Sequence, residues 1–413
     1  MQFTDLTKVY LWKGIEMTAE MRFSVDKKQT LDILSQLIRI RTVLPQGDEM
    51  DMVKYILSLF PEKMLETKLI DHGNNRASLV ASLPGANRGV KIALIGHMDT
   101  FPIIGVERWN HPPFAADYDG GVVYGRGASN MKGGIAAMLM VLLAFVKEGA
   151  LPPCDVVLCL TADGDNAALT GARALAYSGY LSDISEMIFA EATGNKIAVA
   201  QRGGVWLHVR VTGKPSYACI PGIGMDALSK FIEFHSHIKN FVGCGRESHQ
   251  YLGEPLCTIT QLNSGVAMNV IAPEADGTID IRLLPLQDND EVIQFAFRKA
   301  AEMMAGNPPL KIVIEVMNSN PAVGMPEDSP MIRLFEKVVA DFGGKPEKSG
   351  LLYYTDACAM VPVVGAPFLL FGPGDNIYHT MMDESVSLDS VVRAAEILIK
   401  YILERGARNN WVV

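Results

Sequence analysis

No run of 18 or more apolar residues occurs in this 413-residue chain, so no segment reads as a membrane-spanning helix. The first residues lack a basic stretch followed by an apolar one, and no secretory signal is expected. A basic excess is missing too. The net charge is −9, which argues against nucleic acid as a partner, because such a partner calls for a basic stripe. Cysteine is sparse and unpatterned. The six (Cys154, Cys159, Cys219, Cys244, Cys257 and Cys358) show no C-x-x-C spacing, and the first two flank an apolar run. They read as reduced thiols in a cytoplasmic protein. The chain has no internal repeat and no low-complexity tract.

What is present centres on Lys91-Ile-Ala-Leu-Ile-Gly-His97-Met-Asp99. The continuous apolar run reads as a strand buried on both faces, as in a parallel sheet. His97 and Asp99 then project from its carboxyl end, where open α/β sheets bind ligands. Residues i and i+2 share a side of an extended chain, so Asp99 can orient the His97 ring and leave its other nitrogen for a metal. A satisfied histidine at a strand end is the plainer reading of this tripeptide alone.

Two further buried strands empty at the same edge. Asp155 to Thr161 leads into Asp163-Gly164-Asp165, and Glu186 to Ala190 leads into Glu191. Each acid alone is most simply a helix cap or a solvated turn. Jointly with Asn130 they read as one site. Asn130 lies in a Gly-rich loop, Gly125 to Gly134, that runs into an apolar helix but lacks the spacing of a phosphate-cradling loop. After Gly203 the pattern changes to period 2, as in Val205 to Val211 and Ala275 to Arg282, which suits half-exposed antiparallel strands. Apolar strands and helices resume from Met331. The expected architecture is therefore α/β, in two pieces (1–203 and 318–413), with an α+β segment (204–317) inserted between them.

Along nearly its whole length the chain resembles the co-catalytic zinc aminoacylase and carboxypeptidase family. That family includes acetylornithine deacetylase, succinyl-diaminopimelate desuccinylase and bacterial glutamate carboxypeptidase. The matching text is Gly96-His97-Met-Asp99, Tyr124-Gly-Arg-Gly-Ala-Ser-Asn-Met-Lys-Gly-Gly134, Thr161-Ala-Asp-Gly-Asp, Glu191-Ala-Thr, Gly213-Lys-Pro-Ser-Tyr217, Asn269-Val-Ile-Ala-Pro, Asp280-Ile-Arg282 and Phe371-Gly-Pro-Gly374, then His379 to Glu384. The resemblance implies a zinc-peptidase-like catalytic domain, an inserted lid domain and a homodimer formed through that lid. It implies His97 and Glu191, with Asn130, at one metal, Asp99 as the acid that orients His97, and His379 with Asp165 at a second metal. Asn269 and Arg282 fall on the residues that grip the carboxylate of an amino-acid-derived substrate. Gly374 falls on the same substrate-binding side.

Three positions depart from the family's pattern. Its bridging aspartate is Asn130 here, its adjacent catalytic and ligating glutamates are Gly164 and Asp165, and the lid histidine that polarises the scissile carbonyl is Tyr217. An amide carries no charge and one good acceptor oxygen. Only two of three carboxylates then remain to balance two divalent cations, so one zinc or none per chain is expected. Asp165 has about 1.5 Å less reach than glutamate, and Gly164 cannot act as a base. Asp163 is a candidate substitute for that base, although as the neighbouring residue its side chain should point another way, and a Tyr217 phenol can still donate to a developing oxyanion. Three functions fit: a metal-dependent amide hydrolase with an unusual base, the same scaffold turned to a non-hydrolytic reaction, and a non-catalytic binding or regulatory protein.

Overall fold

A computed structural model describes residues 23–243, 248–375 and 381–408. The chain runs through α1 (Lys27–Arg39), α2 (Glu49–Ser58), β1 (Glu66–Gly73), β2 (Arg76–Leu83), β3 (Asn87–His97), β4 (Asp117–Asp119), β5 (Val122–Tyr124) and α3 (Gly133–Glu148). Next come β6 (Cys154–Thr161), α4 (Thr170–Tyr177), β7 (Glu186–Phe189), β8 (Ile197–Gln201), β9 (Gly204–Thr212), α5 (Ala227–Gly243), β10 (Leu256–Ser264), β11 (Glu274–Arg282), α6 (Asn289–Ala305) and β12 (Lys311–Asn320). The last elements are β13 (Val323–Gly324), α7 (Pro330–Asp341), β14 (Lys348–Leu351), α8 (Ala357–Val364), β15 (Phe368–Leu370), β16 (Ser385–Ser387) and α9 (Leu388–Gly406).

The large sheet has the order β1-β2-β6-β3-β7-β15-β8-β13, with β14 also on β8. Its centre, β6-β3-β7, is parallel, with His97 opposite Thr161 and Ile95 opposite Phe189. The flanking pairs β1/β2, β2/β6 and β8/β13 are antiparallel, so the sheet is mixed. The central register brings three strand tips to one edge, and with them His97, Asp165 and Glu191.

Helices cover both faces. Asp26 caps α1 by accepting from the Gln29 amide, and Ile33, Leu34, Leu37 and Ile38 form its buried stripe. Helix α3 is apolar on every side because it is buried on every side. By length and composition the stretch Ala128–Glu148 could cross a membrane, but 94% of its 18-residue apolar window is buried inside the fold, and it acts as a core helix. It packs against α1 and α9.

The segment between the two pieces is an inserted α+β domain. Its antiparallel sheet has the order β10-β11-β9-β12. Val205, Leu207, Val209 and Val211 alternate inward against Phe231 and Phe234 of α5 and Ala296 of α6. The sheet extends to residue 320, past the expected boundary at 317, because β12 stays paired with β9 as far as Asn320 opposite Gly204. The alternation of β9 is visible in the sequence. Helix α8 is not, because Pro362 inside it breaks the helical reading.

Candidate active site

His97 ends β3 and is 3% exposed. Its Nδ1 lies 3.0 Å from the main-chain oxygen of Asp99, and the Asp99 carboxylate is farther away, at 3.6 Å. Asp99 therefore orients the ring chiefly through its backbone. Its carboxylate accepts instead from the amides of Gly164 (2.7 Å) and Asp165 (2.9 Å). One aspartate thus fixes both the histidine and the acidic loop. Burial works against the Asp99 charge, but contact with His97 and the two loop amides holds its pKa below the ordinary value.

That loop delivers Asp165 to the other side of the ring. Asp165 Oδ1 is 3.9 Å from His97 Nε2 and accepts 2.9 Å from the Asn130 amide group. Two buried acceptors at this spot have no hydrogen-bond partner among the described residues, Asn130 Oδ1 and Asp165 Oδ2. Buried polar atoms are rarely left so, and such a pair close to an imidazole nitrogen is a donor set that fits a cation. His97, Asp99 and Asp165 also group as ligand atoms within 4.8 Å of one another. Both Asp99 oxygens are already engaged, so Asn130 is the better third member.

Glu191 is 2% exposed, and burial pushes its carboxyl up to about 8, with Asp356, Asp165 and Asp99 adding to the rise and His97 opposing it. Burial also raises Asp165, against the pull of His97. Burial disfavours the His97 charge, yet Asp165, Asp99 and Glu191 around it hold its pKa well above the ordinary value. Without a cation, burial therefore biases Glu191 toward its protonated form. A carboxyl whose folded pKa is raised holds its proton in the folded state while the unfolded chain releases it. Its contribution to stability is present at low pH and lost as pH rises towards about 8. In excess chelator the melting temperature should therefore fall between about pH 5 and pH 8, and the fall should be smaller in Glu191→Gln. An equal fall in both proteins would contradict this assignment.

Asp163 does not face the ring. Its φ of 67° swings it outward, where Oδ1 meets Arg76 (3.1 Å) and Asn166 (3.1 Å) and Oδ2 accepts from Thr170 (2.7 Å). Arg76 in turn is held by the buried Glu49. The expectation of Asp163 as substitute base is corrected on this geometry, because the carboxylate is saturated by partners on the far side of the loop.

The Asn130 loop is anchored by a residue whose role the sequence did not show. Glu384, fully buried, accepts from the amides of Gly127 (2.8 Å), Ser129 (2.9 Å) and Asn130 (2.9 Å) and from Arg126 (2.8 Å). Gly374, at φ 85°, packs on the same loop, and a Cβ there would stand 2.5 Å from Ser129 Oγ. His379 lies outside the described residues.

Two more buried residues join the acid cluster. Asp356 precedes α8, accepts from Thr161 Oγ1 and is pushed up to about 6 by burial. Tyr353 is raised well above its ordinary value by burial, with Glu191 and Asp165 adding to the rise. In sequence, an acid ahead of an apolar helix reads as a cap, and only the packing of α8 brings Asp356 near His97.

The substrate-side residues separate into two groups. Arg282 packs over Tyr354 at 5.4 Å, and its Nε and Nη2 edge is held by Asp280 (2.8 and 2.9 Å). Tyr217 and Asn269 are together and exposed, with Tyr217 bridged to Val270 and the Asn269 carbonyl accepting from Ala218. Asn269 lies in the loop before β11 and Arg282 is the last residue of that strand, whose nine residues span roughly 27 Å. The expected clamp of Asn269 with Arg282 is thus not formed within one chain.

The mixed sheet with an inserted α+β domain and a His/Asp/Glu cluster at the strand tips defines a metallopeptidase-type scaffold. Residues 93–404 match the peptidase family M20/M25/M40, and the chain belongs to that family. A probable succinyl-diaminopimelate desuccinylase of Staphylococcus aureus is 26% identical over 411 residues, covering 92% of this chain and 99% of that one. The succinyl-diaminopimelate desuccinylase of Orientia tsutsugamushi is 23% identical over 298 residues, covering 70% of this chain and 75% of its own length. Among solved structures, a tripeptidase of Staphylococcus aureus aligns with a TM-score of 0.74 at 17% identity over 93% of this chain and 100% of its own. A dinuclear metal-binding M20 peptidase of Bacillus subtilis aligns at 0.68 and 16%, over 92% and 98%.

Proposed function

We propose that this protein binds a carboxylate-bearing, amino-acid-derived small molecule at a site holding one divalent metal, and that amide hydrolysis by the two-zinc route is impaired. The observation that carries this reading is at Gly164. A Cβ there would stand 2.3 Å from His97 Cβ and 2.5 Å from its Cγ. Real Cβ atoms do not approach so closely, so in this loop conformation no side chain can occupy the position that carries the family's base. Asp163, the neighbouring acid of the loop, is turned away and does not replace it, and general base catalysis is typically worth about 10²–10⁴-fold.

Donor chemistry supports one metal. His97 offers a nitrogen, Asp165 a carboxylate and Asn130 an amide oxygen, which suits zinc or a similar cation. One divalent charge is balanced by Asp165 and Glu191 together. A bound metal would act as a Lewis acid toward a ligand carbonyl. Arg282 would take the ligand carboxylate on its Nη1 side, which Asp280 leaves open. Tyr217 and Asn269 of the partner subunit would complete the pocket in a homodimer formed through the inserted domain. Light scattering should therefore give a dimer at micromolar concentration, and a monomer would remove that part of the proposal. The buried, unpaired Cys154 and Cys159 support a cytoplasmic location.

The test is turnover of N-acetyl and N-succinyl amino acids and of dipeptides with zinc, cobalt and manganese. Little turnover is expected, with carboxylate binding retained. Arg282→Ala should weaken that binding by about 2–5 kcal/mol. Robust turnover that is lost on Asp163→Ala would overturn the reading.

A further inference from the structure

We infer that Asn130, Gly164 and Asp165 are one interlocked rearrangement that draws the ligands of the family's two metal positions into a single site, with Gly164 as the positioning residue. This rests on the one-metal reading above. In the family pattern, His97 and the residue at position 165 serve different metals. Here the Asp165 carboxylate stands 3.9 Å from His97 Nε2 and accepts from Asn130 at 2.9 Å.

Each of the three residue types is needed for that approach. Asp165 has about 1.5 Å less reach than glutamate, so its backbone must come closer to the ring. The loop lies close against the ring, held by the two amides that donate to Asp99, and it can do so only because position 164 has no Cβ to strike His97. The backbone of Gly164 is not in the left-handed region, so the requirement is for space rather than for a special dihedral angle. At position 130 an aspartate would set a second carboxylate 2.9 Å from Asp165, where an amide donates instead. The Asn130 amide oxygen then stays buried and without a hydrogen-bond partner among the described residues, as does Asp165 Oδ2.

A methylene added at one position should therefore be offset by one added at the other. The experiment is zinc titration of the purified, chelator-stripped protein by calorimetry, for wild type, Gly164→Ala, Asp165→Glu and the double variant. Zinc affinity is the readout, so the result does not depend on turnover, and the stoichiometry from the same titration tests the one-metal reading separately. Gly164→Ala should weaken zinc about 10–100-fold by pushing the loop back. Asp165→Glu alone should also weaken it, because the longer acid overshoots in the closed loop. The double variant should bind more tightly than either single, since the longer acid spans the gap that the added methyl group opens. Wild-type affinity in Gly164→Ala, or a double variant as weak as the product of the singles, would overturn the inference. If Gly164→Ala does not fold, Asp165→Glu decides alone: weaker zinc binding in it supports the closed loop, and equal or tighter binding contradicts it.

Discussion

Replacing Glu384 by alanine should cost about 3–5 kcal/mol of folding stability, the usual penalty for breaking a buried ion pair. The Glu384 carboxylate is fully buried, pairs with the 1%-exposed Arg126 and receives three backbone amides from the loop that ends at Asn130. Its removal takes one acceptor from the Arg126 guanidinium and from three N–H groups together. Burial pushes the Glu384 pKa up, with Arg126 and the loop amides opposing, so the carboxylate depends on these partners to stay charged. Glu384→Gln keeps the shape but loses the charge, and should cost less than alanine. Arg126→Ala should be comparably severe, and the double variant should cost far less than the two singles summed, because the two residues act as a pair. Urea unfolding of the wild type and these variants checks this. A loss below about 1 kcal/mol in Glu384→Ala would show the pair to behave like a surface bridge.

The second large effect concerns restoration of the family pattern. Gly164→Glu alone should give no hydrolase and should weaken metal binding, because the new side chain must displace His97 or the loop that carries Asp165. Asn130→Asp alone should also fail, since it opposes two carboxylates across 2.9 Å with one cation to share. Only Asn130→Asp, Gly164→Glu and Asp165→Glu together re-open the loop, lengthen the ligand and restore the third negative charge. The triple variant should then gain turnover by about 10²–10⁴-fold, the contribution of a general base. Effects of residues that work as a unit are strongly non-additive, so its gain should exceed the product of the singles. Initial rates on N-succinyl and N-acetyl amino acids with zinc measure this. A Gly164→Glu single variant as active as the triple would show that the three positions are independent.

Much of the fold was legible in the sequence because its signals are local. The apolar runs of β3 and β6 and the alternation of β9 and β11 depend on nearest neighbours and burial alone. His97, Asp165 and Glu191 were recoverable as a cluster because consecutive parallel strands end at one edge. The acids' individual roles were not, because these are set by partners far away in the chain. Asp163 is claimed by Arg76 some 87 positions earlier, and the loop at Asn130 is held by Glu384, 254 positions later. Gly164 reads in sequence as an absence, the loss of a base. In three dimensions it provides room, and only the approach of the His97 ring shows that. Likewise Asn269 and Arg282 sit at the expected motif positions, yet the length of β11 keeps them apart.

The most direct test is the metal content of wild-type protein, purified without chelator, dialysed against excess zinc and then against metal-free buffer, and read by elemental analysis. One zinc per chain is expected, lost in both His97→Ala and Asp165→Asn. Two zinc ions per chain that survive dialysis would contradict it, because two divalent charges exceed what Asp165 and Glu191 can balance.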